Sequence, residues 1–85
     1  MTSTIKDFNN RADSITEIAR SNYSNTKFLI NLINYFCIEF SAEVNSKFDS
    51  SKFCNYILKG ITEKYGLIHF DDELISRLKG TRKMK

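Results

Sequence analysis

The sequence predicts an all-α fold: a small bundle of four helices with a central apolar second helix and a short basic C-terminal tail. Three observations predict it. Apolar residues recur at steps of three and four through most of the chain. Cap-forming residues stand before these runs, and isolated glycines stand where two of them stop. Eighty-five residues suit a single domain, and no repeat, low-complexity segment or linker divides them. The domain is expected over residues 1–80 and the tail over residues 81–85.

Helix one is predicted from Ile5 to Asn22. Thr4 and Asp7 have the spacing of a capping box, in which hydroxyl and carboxylate pair opposite orphan amides. Ile5, Phe8, Ala12, Ile15 and Ala19 form one narrow apolar stripe, closer to a heptad seam than to a wide core face. Such a helix docks onto a bundle or zips to a partner.

Helix two is predicted from Thr26 to Lys47, with Ser24 or Asn25 as cap. Leu29, Ile33, Phe36, Phe40 and Val44 line one face, and Phe28, Ile30, Leu32 and Tyr35 widen it around most of the circumference. A helix this apolar is usually central. Its remaining stripe, Lys27, Asn31, Asn34, Ser41 and Asn45, is almost uncharged and is interrupted by Ile38.

Helix three is predicted from the Asp49-Ser50-Ser51 cap to Tyr65, with Phe53, Ile57, Ile61 and Tyr65 at helical period. Gly66 and Leu67 fit the left-handed residue and hydrophobic closure of a Schellman motif. Gly60 weakens the helix interior by about 1 kcal/mol relative to Ala, which marks a candidate close contact between helices. Leu67 to Phe70 is a short apolar connector that an extended backbone would suit. Asp71 is expected to cap helix four, Asp72 to Lys79, which Gly80 ends. The expected core is Phe8, Ile15, Leu29, Leu32, Ile33, Phe36, Phe40, Phe53, Ile57, Ile61, Ile75 and Leu78.

The charge is unevenly placed. Arg77, Lys79, Arg82, Lys83 and Lys85 fall in the last ten positions with no acidic residue among them. The formal charge of +3, less these five, leaves about −2 on residues 1–75. The basic character therefore belongs to a tail and not to a folded face. Five phosphate contacts from that tail would give a salt slope of about −4 to −5. The plain alternative is a solubilising end whose charges complement the helix four dipole.

No constellation of residues predicts an enzyme. One histidine, His69, and two cysteines, Cys37 and Cys54, are present. Nothing indicates that a positive neighbour or a helix N-terminus activates either thiol, so a catalytic pair is not expected. Both cysteines lie in apolar helical patterns, where free thiols are ordinarily buried and reduced, although a Cys37–Cys54 disulfide stays open. No C-x-x-C or H-x-x-x-H pair prepares a metal site. Asp71, Asp72 and Glu73 are accounted for by the positive end of helix four, and Glu39 and Glu43 are the other close acidic pair. The glycines build no phosphate loop. No metal and no cofactor are expected.

Two functional expectations remain. The first is a small non-enzymatic protein-interaction module that binds a host protein or associates with itself. Seven Phe and four Tyr are a heavy aromatic load for this length. The candidate contact residues are Asn31, Asn34, Ile38, Tyr56 and Tyr65. The alternative is a small nucleic-acid-binding transcriptional regulator. Helix four would open on three acidic residues, which phosphate repels, so it does not suit a recognition helix. The polar side of helix three suits phosphate and base contacts better. The candidates are Lys52, Asn55 and Lys59, with Arg77, Lys79, Arg82, Lys83 and Lys85.

Ile, Lys, Asn, Phe and Tyr supply 38 of the 85 residues, the mark of AT-rich codons. Size, helicity and codon bias fit small phage- or virus-type regulators or inhibitors, and no motif carries a family signature. The start of the chain has no secretory pattern. The apolar run from Phe28 to Phe40 is too short and too polar to span a bilayer. A cytoplasmic location without membrane contact is expected.

Overall fold

A computed structural model describes residues 4–80, and the tail residues Arg82, Lys83 and Lys85 lie outside them. The expected all-α bundle is present. Four helices pack on one another: α1 (Ile5–Arg20), α2 (Thr26–Ser41), α3 (Ser50–Lys64) and α4 (Asp72–Lys79). The described residues contain no strand.

Local chemistry sets most helix ends. The Thr4 hydroxyl accepts from Asp7 N at 3.3 Å while Asp7 Oδ2 accepts from Thr4 N at 2.7 Å, so the capping box forms. Asp49 Oδ1 accepts from Ser51 N at 2.9 Å and Lys52 N at 3.2 Å, which fixes the start of α3. Asn22 lies just past α1, and its side chain donates to the Ile18 carbonyl at 2.8 Å.

Five local expectations are corrected. Helix two ends at Ser41 and not at Lys47. The Ser46 hydroxyl takes the Phe40 carbonyl at 2.6 Å, and Asn45 turns the chain with φ +56°. That turn brings Phe48 back against Phe8, Phe40 and Phe53, whereas a longer α2 would carry it away. Val44, expected on the core face, is exposed. No Schellman motif closes α3: Tyr65 N and Gly66 N both donate to the Ile61 carbonyl. Gly66 has φ +82° and ψ 140°, outside the left-handed helical well. The following connector is a 3₁₀ turn, Leu67–His69, and not an extended segment. Finally, Asp71 precedes α4 but its side chain caps no amide. Its carboxylate instead accepts from the hydroxyl of Thr26, a buried residue at the start of α2.

The chain forms two antiparallel hairpins. In the first, Phe8 of α1 meets Phe40 of α2 and Arg11 lies over Phe36. In the second, α4 returns along α3 and places Arg77 beside Cys54. The hairpins lie side by side in the same sense, α1 on α3 and α2 on α4. Helices α2 and α3 are diagonal and meet by side chains, with the Phe40 and Phe53 rings 6.0 Å apart.

Nine of the expected core residues are buried: Phe8, Ile15, Leu29, Ile33, Phe40, Phe53, Ile57, Ile61 and Leu78. Leu32, Phe36 and Ile75 are only partly buried against that core. Ala12, Ala19, Cys37, Cys54, Phe70 and Leu74 complete it. The apolar stripe of α1 is consumed here, since Phe8, Ala12, Ile15 and Ala19 are all buried. The apolar helix α2 borders α1 and α4 but is not enclosed all round, because Phe28, Tyr35 and Ile38 remain exposed.

Gly60 marks the close contact that its place in the sequence suggested. A methyl group there would lie 3.2 Å from Thr16 Oγ1 and 3.3 Å from Thr16 Cγ2. Thr16 is buried, and its hydroxyl is held by the Ala12 carbonyl at 2.9 Å. A β-branched side chain so held has little freedom to yield. Gly60→Ala is therefore expected to destabilise the protein, with overpacking of about 1–3 kcal/mol set against a helix-propensity gain of about 1 kcal/mol. In a Thr16→Ala background the clash is gone and the same change should stabilise. Urea unfolding of the four proteins in this cycle measures the change of sign.

Candidate functional site

Cys37, Cys54 and Arg77 come from three different helices and converge between α2, α3 and α4. Cys37 faces inward on α2, one turn beyond Asn34. Cys54 lies in the first turns of α3, on the face that carries Phe53 and Ile57 inward. Arg77 sits in the last turn of α4 and is half-buried. Its Nε donates to Asn34 Oδ1 at 2.7 Å. One terminal nitrogen lies 3.4 Å from Cys54 Sγ and the other 3.9 Å from Cys37 Sγ. The planar guanidinium thus spends separate donors on one amide oxygen and two sulfurs.

Both cysteines are free thiols, and both face the Arg77 guanidinium. Hydrogen bonding from Cys37, aided by the Arg77 charge and against the effect of burial, lowers the pKa of Cys54. The same interaction, with burial and the charge of Cys54, raises the pKa of Cys37. Arg77 also lies nearer Cys54 than Cys37, so its charge favours the Cys54 thiolate. Two shallow clefts open beside Arg77. One, of about 120 Å³, reaches Cys54 between Ser50, Ser51 and Asn55. The other reaches Cys37 past Ile38, Ser41 and Ala42.

The sequence offered no positive neighbour for either thiol, because Arg77 is 23 positions from Cys54 and 40 from Cys37. His69 takes no part in the cluster: its ring stacks on Tyr23, with centroids 5.0 Å apart. Among the described residues, no three His, Cys, Asp or Glu side chains are grouped to hold a metal ion. No described helix is long and apolar enough to cross a membrane.

The five candidate protein-contact residues do not share one surface. Asn31 and Ile38 lie on the outer face of α2 and are exposed. Asn34 is bound to Arg77. Tyr56 lies on α3, in a cleft with Ile5, Phe8 and Phe53. Tyr65 donates to Glu17 Oε2 at 3.1 Å, across the α1–α3 contact. What sequence reading missed is the full outer stripe of α2. Phe28, Asn31, Tyr35, Ile38 and Ala42 follow at steps of three and four, and all are exposed. Asn31 and Ile38 are among the expected contact residues, but the sequence pattern reads Phe28 and Tyr35 as widening the core face of α2.

The candidate nucleic-acid residues divide as well. Lys52, Asn55 and Lys59 are exposed on α3, and Lys79 is exposed on α4. Arg77 is turned inward, onto Asn34 and the two sulfurs.

The Tyr65 hydrogen bond, with that from Lys64 Nζ at 3.4 Å, lowers the pKa of Glu17 from its ordinary 4.5. The folded value is the depressed one. The contact therefore adds stability above the unfolded value and loses it as the pH falls through the folded value. Tyr65→Phe should move the Glu17 midpoint back toward 4.5, read by NMR titration of the side-chain carboxyl.

The chain matches no protein-family model, no curated protein and no solved structure.

Proposed function

We propose that this chain is a non-enzymatic protein-interaction module that pairs the outer face of α2 with the same face of a second copy. The observation that carries the reading is the exposed seam of Phe28, Asn31, Tyr35, Ile38 and Ala42. Phe28 is 42% exposed, Tyr35 55% and Ile38 67%, an unusual run of large apolar groups on one solvent-facing helix.

The seam is self-complementary. In one antiparallel register Phe28 meets the partner's Ile38 and Asn31 meets the partner's Tyr35. Apolar layers then flank polar ones, and an amide opposite a phenol fixes register in the way a single buried polar residue does in coiled coils. The helix is already formed by packing on its own bundle, so association does not have to drive its folding. A host-protein helix with the same apolar spacing would compete for this face, which is how a small regulator or inhibitor of phage or virus type would act.

The test is sedimentation equilibrium from micromolar to sub-millimolar protein. Wild type should approach the mass of two chains. Ile38→Asp removes about 1.5–3 kcal/mol of burial from each copy and should leave a monomer with unchanged circular dichroism. Ile68→Asp, at a 91% exposed site off this face, should not alter the mass. A wild-type protein that stays monomeric throughout overturns self-pairing.

The nucleic-acid reading has one observation in its favour, the exposed row of Lys52, Asn55 and Lys59 along α3. It requires that Lys52→Glu with Lys59→Glu abolish low-salt retention on immobilised duplex DNA while the fold persists. Equal retention of the two proteins would dispose of it.

A further inference from the structure

We propose that Cys37 and Cys54 form an oxidisable dithiol, which a peroxide converts to an intramolecular disulfide joining α2 to α3. Three features of geometry support this. The two thiols are free and come from different helices, Cys37 from α2 and Cys54 from α3. The Arg77 guanidinium lies against both sulfurs, at 3.4 and 3.9 Å, and is held there by Asn34. Each sulfur lies beneath its own shallow cleft, so a two-oxygen oxidant can approach although both residues are buried.

Their chemistry divides the roles. The thiolate and not the thiol is the nucleophile, and cationic neighbours favour it. The nearer guanidinium nitrogen stands 3.4 Å from the Cys54 sulfur, against 3.9 Å for Cys37, so the Cys54 thiolate is the one Arg77 favours. The Cys54 sulfur attacks one peroxide oxygen, the O–O bond breaks, and hydroxide leaves and takes up a proton as water. Cys54 is then a sulfenic acid, oxidised by two electrons while the peroxide is reduced by two. The Cys37 sulfur attacks the sulfenic sulfur, the S–O bond breaks, and the departing hydroxide carries off the Cys37 proton as a second water. With hydrogen peroxide, two thiols and one oxidant give one disulfide and two waters. The sulfurs must close to about 2.05 Å, which draws α2 toward α3 along their diagonal and removes the thiolate charge that Arg77 faces.

This site is distinct from the outer face of α2. Cys37 faces inward, whereas Phe28, Tyr35 and Ile38 face solvent. A failure of self-association therefore leaves the proposal standing, and the reverse is also true.

The experiment treats the folded full-length chain with millimolar hydrogen peroxide, then assays intact mass and free thiols after denaturation. The expected product is monomeric on a non-reducing gel, lighter by two hydrogen atoms, without free thiols, and restored by a phosphine reductant. Cys37→Ser should stop at a Cys54 sulfenic acid that dimedone traps, and Cys54→Ser should react far more slowly. Arg77→Leu should slow oxidation roughly tenfold, the effect of about one unit in thiol pKa at fixed pH. Arg77→Lys should recover part of that rate, and circular dichroism on both variants separates slower chemistry from lost fold. Retention of both thiols by wild type overturns the proposal. So does a gain of oxygen mass without the bond, or a disulfide formed only between chains. Equal peroxide rates for the two single-cysteine variants would likewise overturn the assignment of Cys54 as the attacking thiol.

Discussion

The ring of Phe40 is the contact on which the rest of the bundle depends. It lies within aromatic distance of Phe8 on α1, Phe36 on its own helix, Phe48 in the following loop and Phe53 on α3. Edge-on and tilted rings at these spacings add about 0.5–1.5 kcal/mol per pair beyond their buried area. One side chain near the end of α2 thus joins both hairpins and the loop between them. It also explains why α2 is short: the chain must turn soon after Phe40 if Phe48 is to reach the same cluster.

Helix α4 is held by a different kind of contact. It is an eight-residue helix, well below the length at which an isolated helix persists in water. Leu74 and Leu78 anchor it in the core. Polar side chains then tie it to α2 near both ends, Thr26 to Asp71 and Asn34 to Arg77. These ties set the rotation of α4, and so decide that its arginine faces two sulfurs and not solvent.

Much of this architecture is legible in the chain. The capping box at Thr4, the Asp49 cap and the helical periods of α1 and α3 act within a few residues, so sequence spacing reports them. Gly60 could be read as a close contact, although its partner Thr16 could not be named. The long-range features were hidden for the same reason. The Arg77 cluster joins residues from three helices, and no local pattern connects them. Asp71 looked like a cap because it stands where caps stand; a buried hydroxyl from another helix claimed it instead. The outer stripe of α2 was misjudged because apolar spacing alone does not tell which of two apolar faces points inward.

The side-by-side placement of the hairpins carries a consequence for how the chain folds. Helices α2 and α3 are neighbours in sequence yet touch only diagonally, while the broad contact joins α1 to α3. Glu17 and Lys64, which meet across it, are 47 residues apart. Closing a loop of that size carries an entropic cost of about 3 kcal/mol beyond a fixed term. The first hairpin meets through long side chains, Phe8 on Phe40 and Arg11 over Phe36, and not through closely packed backbones. Much of the packing of α1 waits on that closure, and Thr16 and Gly60 lie within it. For an all-helical chain this is a non-local contact, so its folding should be slower than helix content alone implies.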